Sequence, residues 1–302
     1  MYKWRVKKSE RGISLENFIY KQLSTWSHKQ VKNSIDAKRA FINGKNVFIS
    51  KWNLKPNDLV LFTPTKKDAE TLGPQGRYKF IDVLFEDNYI IMTNKPPFID
   101  FESYVETVKN YLKRKNQKEK SYPYLGQMHR LDKETSGIMA FTKKKVANTL
   151  AEQFRDHRIK KFYLALVNGQ VQADQGTLNK KLEKGEFAEG KKSRVSDSPE
   201  AKRAITEYRV AERYEQATLL NVQILTGRTH QIRVHMSDLG HPIVGDKIYG
   251  GETGLPFNRQ VLHAERLYFT HPITKKKMRL TAPLPADIQT LVDRLRDGEI
   301  VK

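Results

Sequence analysis

Apolar residues fall into short periodic blocks along the chain, and their spacing predicts the elements. Behind Ser14, a candidate helix cap, Leu15, Phe18, Ile19 and Leu23 recur at i, i+3, i+4 and i+8. That is the pattern of an amphipathic helix. A second short helix is expected over 27–37. Residues 41–49 read as two strands about Asn43-Gly44, and Pro56-Asn57-Asp58 makes a turn before a strand at 59–62. Periodicity then stops: residues 64–79 collect turn formers and read as a linker.

Beyond residue 79 the pattern restarts. A hairpin is expected from 81–86 and 89–93 about Asp87-Asn88, followed by a strand at 137–142. An amphipathic helix over 145–156 sets Val146, Leu150 and Phe154 on one face. The strand at 161–167 ends at Asn168-Gly169. Residues 172–203 are charged and contain glycine, and read as a long exposed excursion. The strand at 217–225 leads into a helix with Thr229 as its N-cap, stopped by Gly240 with Pro242 beyond. The remainder alternates short strands with turns. No βαβ repeat is visible, so the expected fold class is α+β. A larger domain with a mixed, mainly antiparallel sheet occupies 79–302. A small α+β module at 1–64 precedes it, with the linker at 65–78.

Charge adds a partner to this outline. The 302 residues carry 55 Lys and Arg against 34 Asp and Glu, a net +21. Residues 1–63 hold 13 Lys and Arg against 4 Asp and Glu, which is nearly three times the positive charge density of the rest. Such an excess points to a polyanion, with nucleic acid favoured over an anionic membrane surface. Cysteine is absent, which excludes a disulfide framework, Cys-ligated metals and a thiolate nucleophile. No stretch approaches the roughly 18 apolar residues of a membrane helix, and residues 1–8 have no signal-peptide core. A cytoplasmic protein away from membranes is expected. Neither a P-loop nor G-x-G-x-x-G occurs. Of the eight histidines none sits in H-E-x-x-H, and His230 and His235 would lie about 140° apart on a helix, so no metal site is expected.

The densest polar segment is Met128-His129-Arg130-Leu131-Asp132-Lys133-Glu134-Thr135-Ser136-Gly137. One acid among bases is by default a solvated charge pair. A second segment, Thr226-Gly227-Arg228-Thr229-His230-Gln231-Ile232-Arg233-Val234-His235, changes the balance. Arg233 stands between Ile232 and Val234, where a guanidinium becomes partly buried and needs a carboxylate. Asp132, ionised, is the candidate partner.

His129-Arg130-Leu131-Asp132-x-x-Thr135-Ser136-Gly137 resembles the signature of RNA pseudouridine synthases of the RluA branch. The resemblance continues in Lys161-Phe162-Tyr163-Leu164-Ala165 and Gly227-Arg228-Thr229-His230-Gln231-Ile232-Arg233. It extends through His241-Pro242-Ile243-Val244-Gly245-Asp246-x-x-Tyr249-Gly250 and Leu262-His263-Ala264 to His271-Pro272 and Ala282-Pro283-Leu284-Pro285. Ordered matches cover most of 80–290. The resemblance implies a catalytic domain of that type. In it Asp132 is the catalytic aspartate, Tyr163 stacks on the target base and Arg233 pairs with the aspartate. Arg130, with His129 beside it, would contact RNA, the arginine entering the stack as the uridine is extruded. Conversion breaks the N1–C1′ bond, rotates the base and joins C5 to C1′. It is redox-neutral and needs no group donor, so no cofactor is implied. The partner is RNA, ribosomal or transfer; no protein partner is implied, and the chain is expected to act as a monomer.

The first 64 residues resemble the alpha-L motif, a ribosomal-protein-like RNA-binding fold. That implies phosphate contacts from Lys29, Lys32, Lys38, Arg39 and Lys45. Two departures stand out. Lys38-Arg39-Ala40 occupies the place of a glycine-containing turn, and Pro97-Phe98-Ile99-Asp100 follows Asn94-Lys95-Pro96 where the family continues with glycine. The alternative reading is a non-catalytic RNA-binding or ribosome-assembly factor that retains the synthase fold. A base methyltransferase would need a Gly-rich donor turn and, for pyrimidine C5, a cysteine.

Overall fold

Ser14 caps the first helix as its sequence predicts: its side chain accepts the Asn17 N–H at 3.3 Å at the head of α1 (Leu15–Gln22). The computed structural model describes residues 2–62 except 24, 25 and 27. It also describes 81–298 except 116–123, 146–148, 188–189, 252–254 and 256. The expected linker at 65–78 lies outside the described residues. The chain divides into two compact units, Met1–Phe80 and Ile81–Lys302, each described by itself.

In the first unit α2 (His28–Asp36) follows α1, and four short antiparallel strands form one sheet in the order β1-β4-β2-β3. These are β1 (Tyr2–Arg5), β2 (Ala40–Ile42), β3 (Lys45–Val47) and β4 (Leu59–Phe62). Asn43 and Gly44 take positive φ of 50° and 81°, the pair of left-handed residues that a two-residue hairpin turn of right-handed twist demands. The Asn43 side chain then locks the turn to β4, accepting the Leu59 N–H at 2.9 Å and donating to Asp58 at 2.8 Å. Phe18 and Ile19 of α1, Val31 and Ile35 of α2, and Val60 and Phe62 of β4 meet in one core. β1 has no counterpart in the sequence reading: Tyr2 and Trp4 alternate with Lys3 and Arg5, but the run is only four residues and all of them stay at least partly exposed.

The second unit holds an eleven-stranded sheet. Its strands are β5 (Asp82–Glu86), β6 (Ile90–Lys95), β7 (Gly126–Gln127), β8 (Ser136–Thr142), β9 (Lys160–Asn168) and β10 (Gln175–Phe187). They continue with β11 (Gly190–Val195), β12 (Lys202–Arg213), β13 (Ala217–Ile224), β14 (Leu262–Thr270) and β15 (Lys277–Thr281). The order is β11-β10-β12-β13-β9-β14-β8-β6-β5, with β15 paired to β14 and β7 to β8. Every pairing is antiparallel except β14 with β8, which is parallel. The α+β class with a mixed, mainly antiparallel sheet is therefore the observed one.

Helices cover parts of this sheet: α3 (Phe101–Lys115), α4 (Thr149–Arg155), α5 (Gln231–Asp238) and α6 (Ala286–Arg296). α6 packs Ile288, Leu291, Val292 and Leu295 onto Leu164, Leu166 and Leu219, while α4 sets Leu150 and Phe154 against Ile90, Ile138 and Leu267.

Three expectations are corrected. Residues 172–203 are not an excursion: 175–187 and 190–195 form a hairpin that extends the sheet, and 202–213 is a full strand beside it. Leu182 of β10 and Ala204 of β12 join a small apolar cluster with Val234 of α5, and Val195 of β11 packs against it, so a charged composition coexists with strands. Lysines along such outer strands also discourage pairing with another chain. The cap of α5 is not Thr229. His230 stands immediately before the helix in the left-handed region (φ 55°, ψ 20°), and Gln231 Oε1 accepts both the Arg228 N–H and the Thr226 hydroxyl instead. Finally, 286–296 is a helix rather than strand and turn, and α3 was not anticipated either.

One close approach positions the site. β8 runs beside β14 with Gly137 opposite Ala264, and Ala264 is in turn opposite Tyr163 of β9. Gly137 has φ +114°, and a side chain there would run into the Ala264 backbone. Only glycine fits, and its fit holds the loop at 128–135 next to Tyr163's strand.

Candidate active site

Asp132 stands in the loop between β7 and β8, and four groups from distant parts of the unit hold that loop. Lys95, at the end of β6 and fully buried, donates to the carbonyls of Pro96, Ile99 and Lys133 at 2.9–3.1 Å. Arg259, also fully buried, donates to the Glu134 carbonyl at 3.1 Å and makes a two-bond pair with Asp287 of α6 at 2.7 and 2.9 Å. Gln260 Nε2 donates to Thr135 Oγ1 at 3.2 Å. The fourth is Arg233, which reaches Asp132 itself.

Arg233 is buried because α5 is wrapped on most of its circumference: every residue from Gln231 to Met236 is inside. Its guanidinium bridges two acids. Nε and Nη2 donate to Asp246 at 2.6 and 2.8 Å, and Nη1 donates to Asp132 Oδ2 at 2.9 Å. Asp246 is wholly buried, and its Oδ1 also accepts the N–H groups of Ile248 and Tyr249. Tyr249's ring lies 5.1 Å from the guanidinium carbon. Burial opposes the charge on Arg233, but its bonds and attraction to Asp246, and then Asp132, outweigh it and hold its pKa above the ordinary arginine range. Asp246 thus fixes the arginine through Nε and Nη2 and leaves Nη1 to orient Asp132.

The remaining acceptor is what makes the carboxylate available. Among the described residues no hydrogen bond is made to Asp132 Oδ1, and the side chain keeps 28% of its surface exposed in a cavity of about 1020 Å³. Tyr163, Leu262, His230 and Lys161 line the same cavity. Burial, and then the negative charge of Asp132, push the Tyr163 phenol well above its usual range, so it stays protonated at neutral pH. Burial pushes the Lys161 ammonium down to about 8, and its Nζ has the Thr226 carbonyl at 3.5 Å. The mouth is ringed by exposed cations, among them Arg130, Lys133, Arg155, Lys184, Arg228 and Lys247.

The structure therefore brings Asp132, Tyr163 and Arg233 together around one cavity. Arg130 lies on its lip, with its guanidinium 4.8 Å from the Phe101 ring and 3.2 Å from Glu102. His129 faces the cavity but is engaged with the scaffold: it stacks on Phe154 at 5.0 Å and its Nε2 accepts the Ala140 N–H. Burial, then the charge of Lys161, push it down to about 3, so the ring is neutral. Lys29, Lys32, Lys38 and Lys45 are exposed in the first unit, on α2, the turn after it, and β3; Arg39 is half-buried. Sequence reasoning gave no role to Asp246, His230, Lys95 or Arg259. Asp246 lies inside the segment 241–250 that carries the resemblance, but only the fold brings it onto Arg233. No described helix is long and apolar enough to cross a membrane.

Known proteins with this pattern are informative. The family model for RNA pseudouridylate synthase matches residues 88–238. Ribosomal large subunit pseudouridine synthase D of Xylella fastidiosa is 37% identical over 235 residues, covering 72% of this chain and 70% of that protein. The RNA pseudouridine synthase YhcT of Bacillus subtilis is 31% identical over 302 residues, covering 94% of this chain and 98% of its own. Among solved structures, human RNA pseudouridylate synthase domain containing 4 superposes with a TM-score of 0.60 at 25% identity, covering 71% of this chain and 93% of that one.

Proposed function

The chain belongs to the RNA pseudouridine synthase family, and on that premise we propose that Asp132, Tyr163 and Arg233 convert a uridine flipped out of structured RNA. Asp132 acts as the nucleophile or base that starts N1–C1′ cleavage. Arg233, clamped by Asp246, aims it; Tyr163 stacks on the freed base through its rotation. The observation that supports this most directly is the state of the Asp132 carboxylate, with one oxygen on Arg233 and the other turned loose in the cavity. A base inside a helix could not reach that oxygen. Extrusion costs a few kcal/mol, least in loops and bulges, and Arg130 on the lip is placed to fill the gap left behind. The cationic rim and the exposed lysines of the first unit would hold the phosphates. Relatives named for the large ribosomal subunit favour ribosomal over transfer RNA as the substrate.

The test is purified protein on transcribed ribosomal and transfer RNA, with pseudouridine read by mass spectrometry. Wild type should convert a defined uridine. Asp132→Asn should leave it untouched, and Arg233→Ala should slow conversion by about 10²-fold or more. Asp132→Asn turning over as fast as wild type would overturn the assignment, and a wild type that binds RNA without converting any uridine would favour the non-catalytic reading.

A further inference from the structure

Isomerisation of uridine moves one proton, and the residues assigned so far do not account for it. The N1–C1′ bond breaks with its electron pair going to N1. A ring π pair at C5 then forms the C5–C1′ bond. The C5–H bond must break so that its pair restores the C5–C6 double bond, and N1 takes up a proton. No oxidant, reductant or donor is consumed, but some group must accept the proton from C5. C5 is bonded to C6 in the substrate and to C1′ in the product, so whichever of those carbons Asp132 engages, C5 lies next to the Asp132 carboxylate. The acceptor belongs beside that carboxylate.

The geometry points to His230 as that acceptor, an inference that rests on the reading above. Its Nε2 lies 3.8 Å from Asp132 Oδ2, and the side chain lines the same cavity. Its other nitrogen is fixed. Nδ1 is 2.9 Å from the Tyr249 hydroxyl, which is itself held by both backbone groups of Ser193. The Ser193 N–H donates to the hydroxyl at 2.9 Å, and the hydroxyl donates to the Ser193 carbonyl at 3.1 Å. In the arrangement that gives its one proton to Ser193, the hydroxyl accepts from Nδ1–H. The neutral ring then carries its lone pair on Nε2, toward Asp132. The Tyr249 ring meets the imidazole edge-on at 5.6 Å, which fixes its plane as well. The backbone of His230 adds to this picture: a non-glycine residue in the left-handed region before α5 is held against its preference, and such residues cluster at working sites.

The surroundings suit a base. Burial is the largest influence and lowers the His230 pKa; Asp132 and Asp246 pull it up, while Arg233 and Lys184 oppose them. The ring starts neutral, and the imidazolium formed on taking the proton faces the Asp132 charge. The other ionisable groups in the cavity serve less well. The Tyr163 phenol is already protonated, and Lys161 at about 8 keeps its proton at pH 7.

The experiment compares RNA carrying deuterium or hydrogen at C5 of the target uridine, under single turnover, for wild type, His230→Gln and Tyr249→Phe. His230→Gln should slow pseudouridine formation by about 10²-fold. It should also raise the C5 isotope effect above the wild-type value, because loss of the proton becomes the slow step. Tyr249→Phe, which keeps the ring but frees Nδ1, should shift both quantities the same way by less, and it stands in should His230→Gln fail to fold. A slowed variant with no rise in the isotope effect would show that His230 only positions Asp132 and would overturn the inference, as would an unchanged rate. Wild-type protein forming no pseudouridine on any RNA would instead remove the reading beneath it.

Discussion

Lys95 shows how one residue couples the site to folding. Three carbonyls surround its buried ammonium, and one of them, on Lys133, is the residue after Asp132. Burial pushes its pKa from 10.5 down to about 7, with Asp132 partly offsetting that. The sign follows from linkage: with the folded value below the unfolded one, the stability tied to Lys95 is fully present above about 10.5 and is lost as pH falls toward about 7. Urea denaturation at pH 7 and pH 9 should therefore show wild type gaining about 2 kcal/mol over Lys95→Met between the two; a flat difference would contradict it. Residue-level departures were legible but their geometry was not. Lys38 and Phe98 stand in the two segments where the family has glycine, yet both adopt the left-handed backbone (φ 61° and 68°). Glycine adopts that conformation freely, so its replacement leaves the path of the chain intact and places local strain in it.

At the scale of elements, α6 acts on the loop that carries Asp132 through one side chain. Asp287 in its first turn pairs with Arg259, and Arg259 reaches the Glu134 carbonyl two residues past Asp132. Removing the acid strands a buried guanidinium. Asp287→Ala is expected to cost about 3 kcal/mol or less, since Asp287 is itself partly exposed, and to lower Tm accordingly. It should also lower kcat while leaving RNA affinity near wild type, which filter binding beside single-turnover rates would check. This helix was within reach of the sequence, for Ile288, Leu291, Val292 and Leu295 recur at helical spacing, as do Phe101, Tyr104, Val105 and Val108 in α3. Strands β10 and β11 were not. Outer strands of a wide sheet bury few side chains, so the alternation that marks a strand is absent from Lys180-Lys181-Leu182-Glu183-Lys184.

At the scale of the molecule, charge is distributed by task. The first unit carries its positive excess on exposed α2, turn and hairpin positions, away from its apolar core. If Lys29, Lys32, Lys38 and Lys45 contact phosphates, replacing all four with alanine should flatten the dependence of log affinity on log salt by about 3, with kcat at saturating RNA unchanged. An unaltered slope would exclude that role. The pairing of Asp132 with Arg233 was legible because an arginine set between apolar neighbours needs a carboxylate, whereas the place of Tyr163 came from the resemblance alone. The supporting acid Asp246, the proton acceptor His230 and the buried pair Arg259–Asp287 were not legible, since their work depends on distances that only the folded chain sets. The parallel contact of β8 with β14 carries a further consequence for biosynthesis. Ser136 and His263, 127 residues apart, must meet there before the middle of the sheet can close. While the ribosome is still making the chain, Asp132 emerges long before Arg233, Asp246 or β14. The nascent protein can therefore fold its N-terminal unit and expose its surface lysines well before it has a working catalyst. Activity arrives late and all at once, with the last strands to leave the exit tunnel.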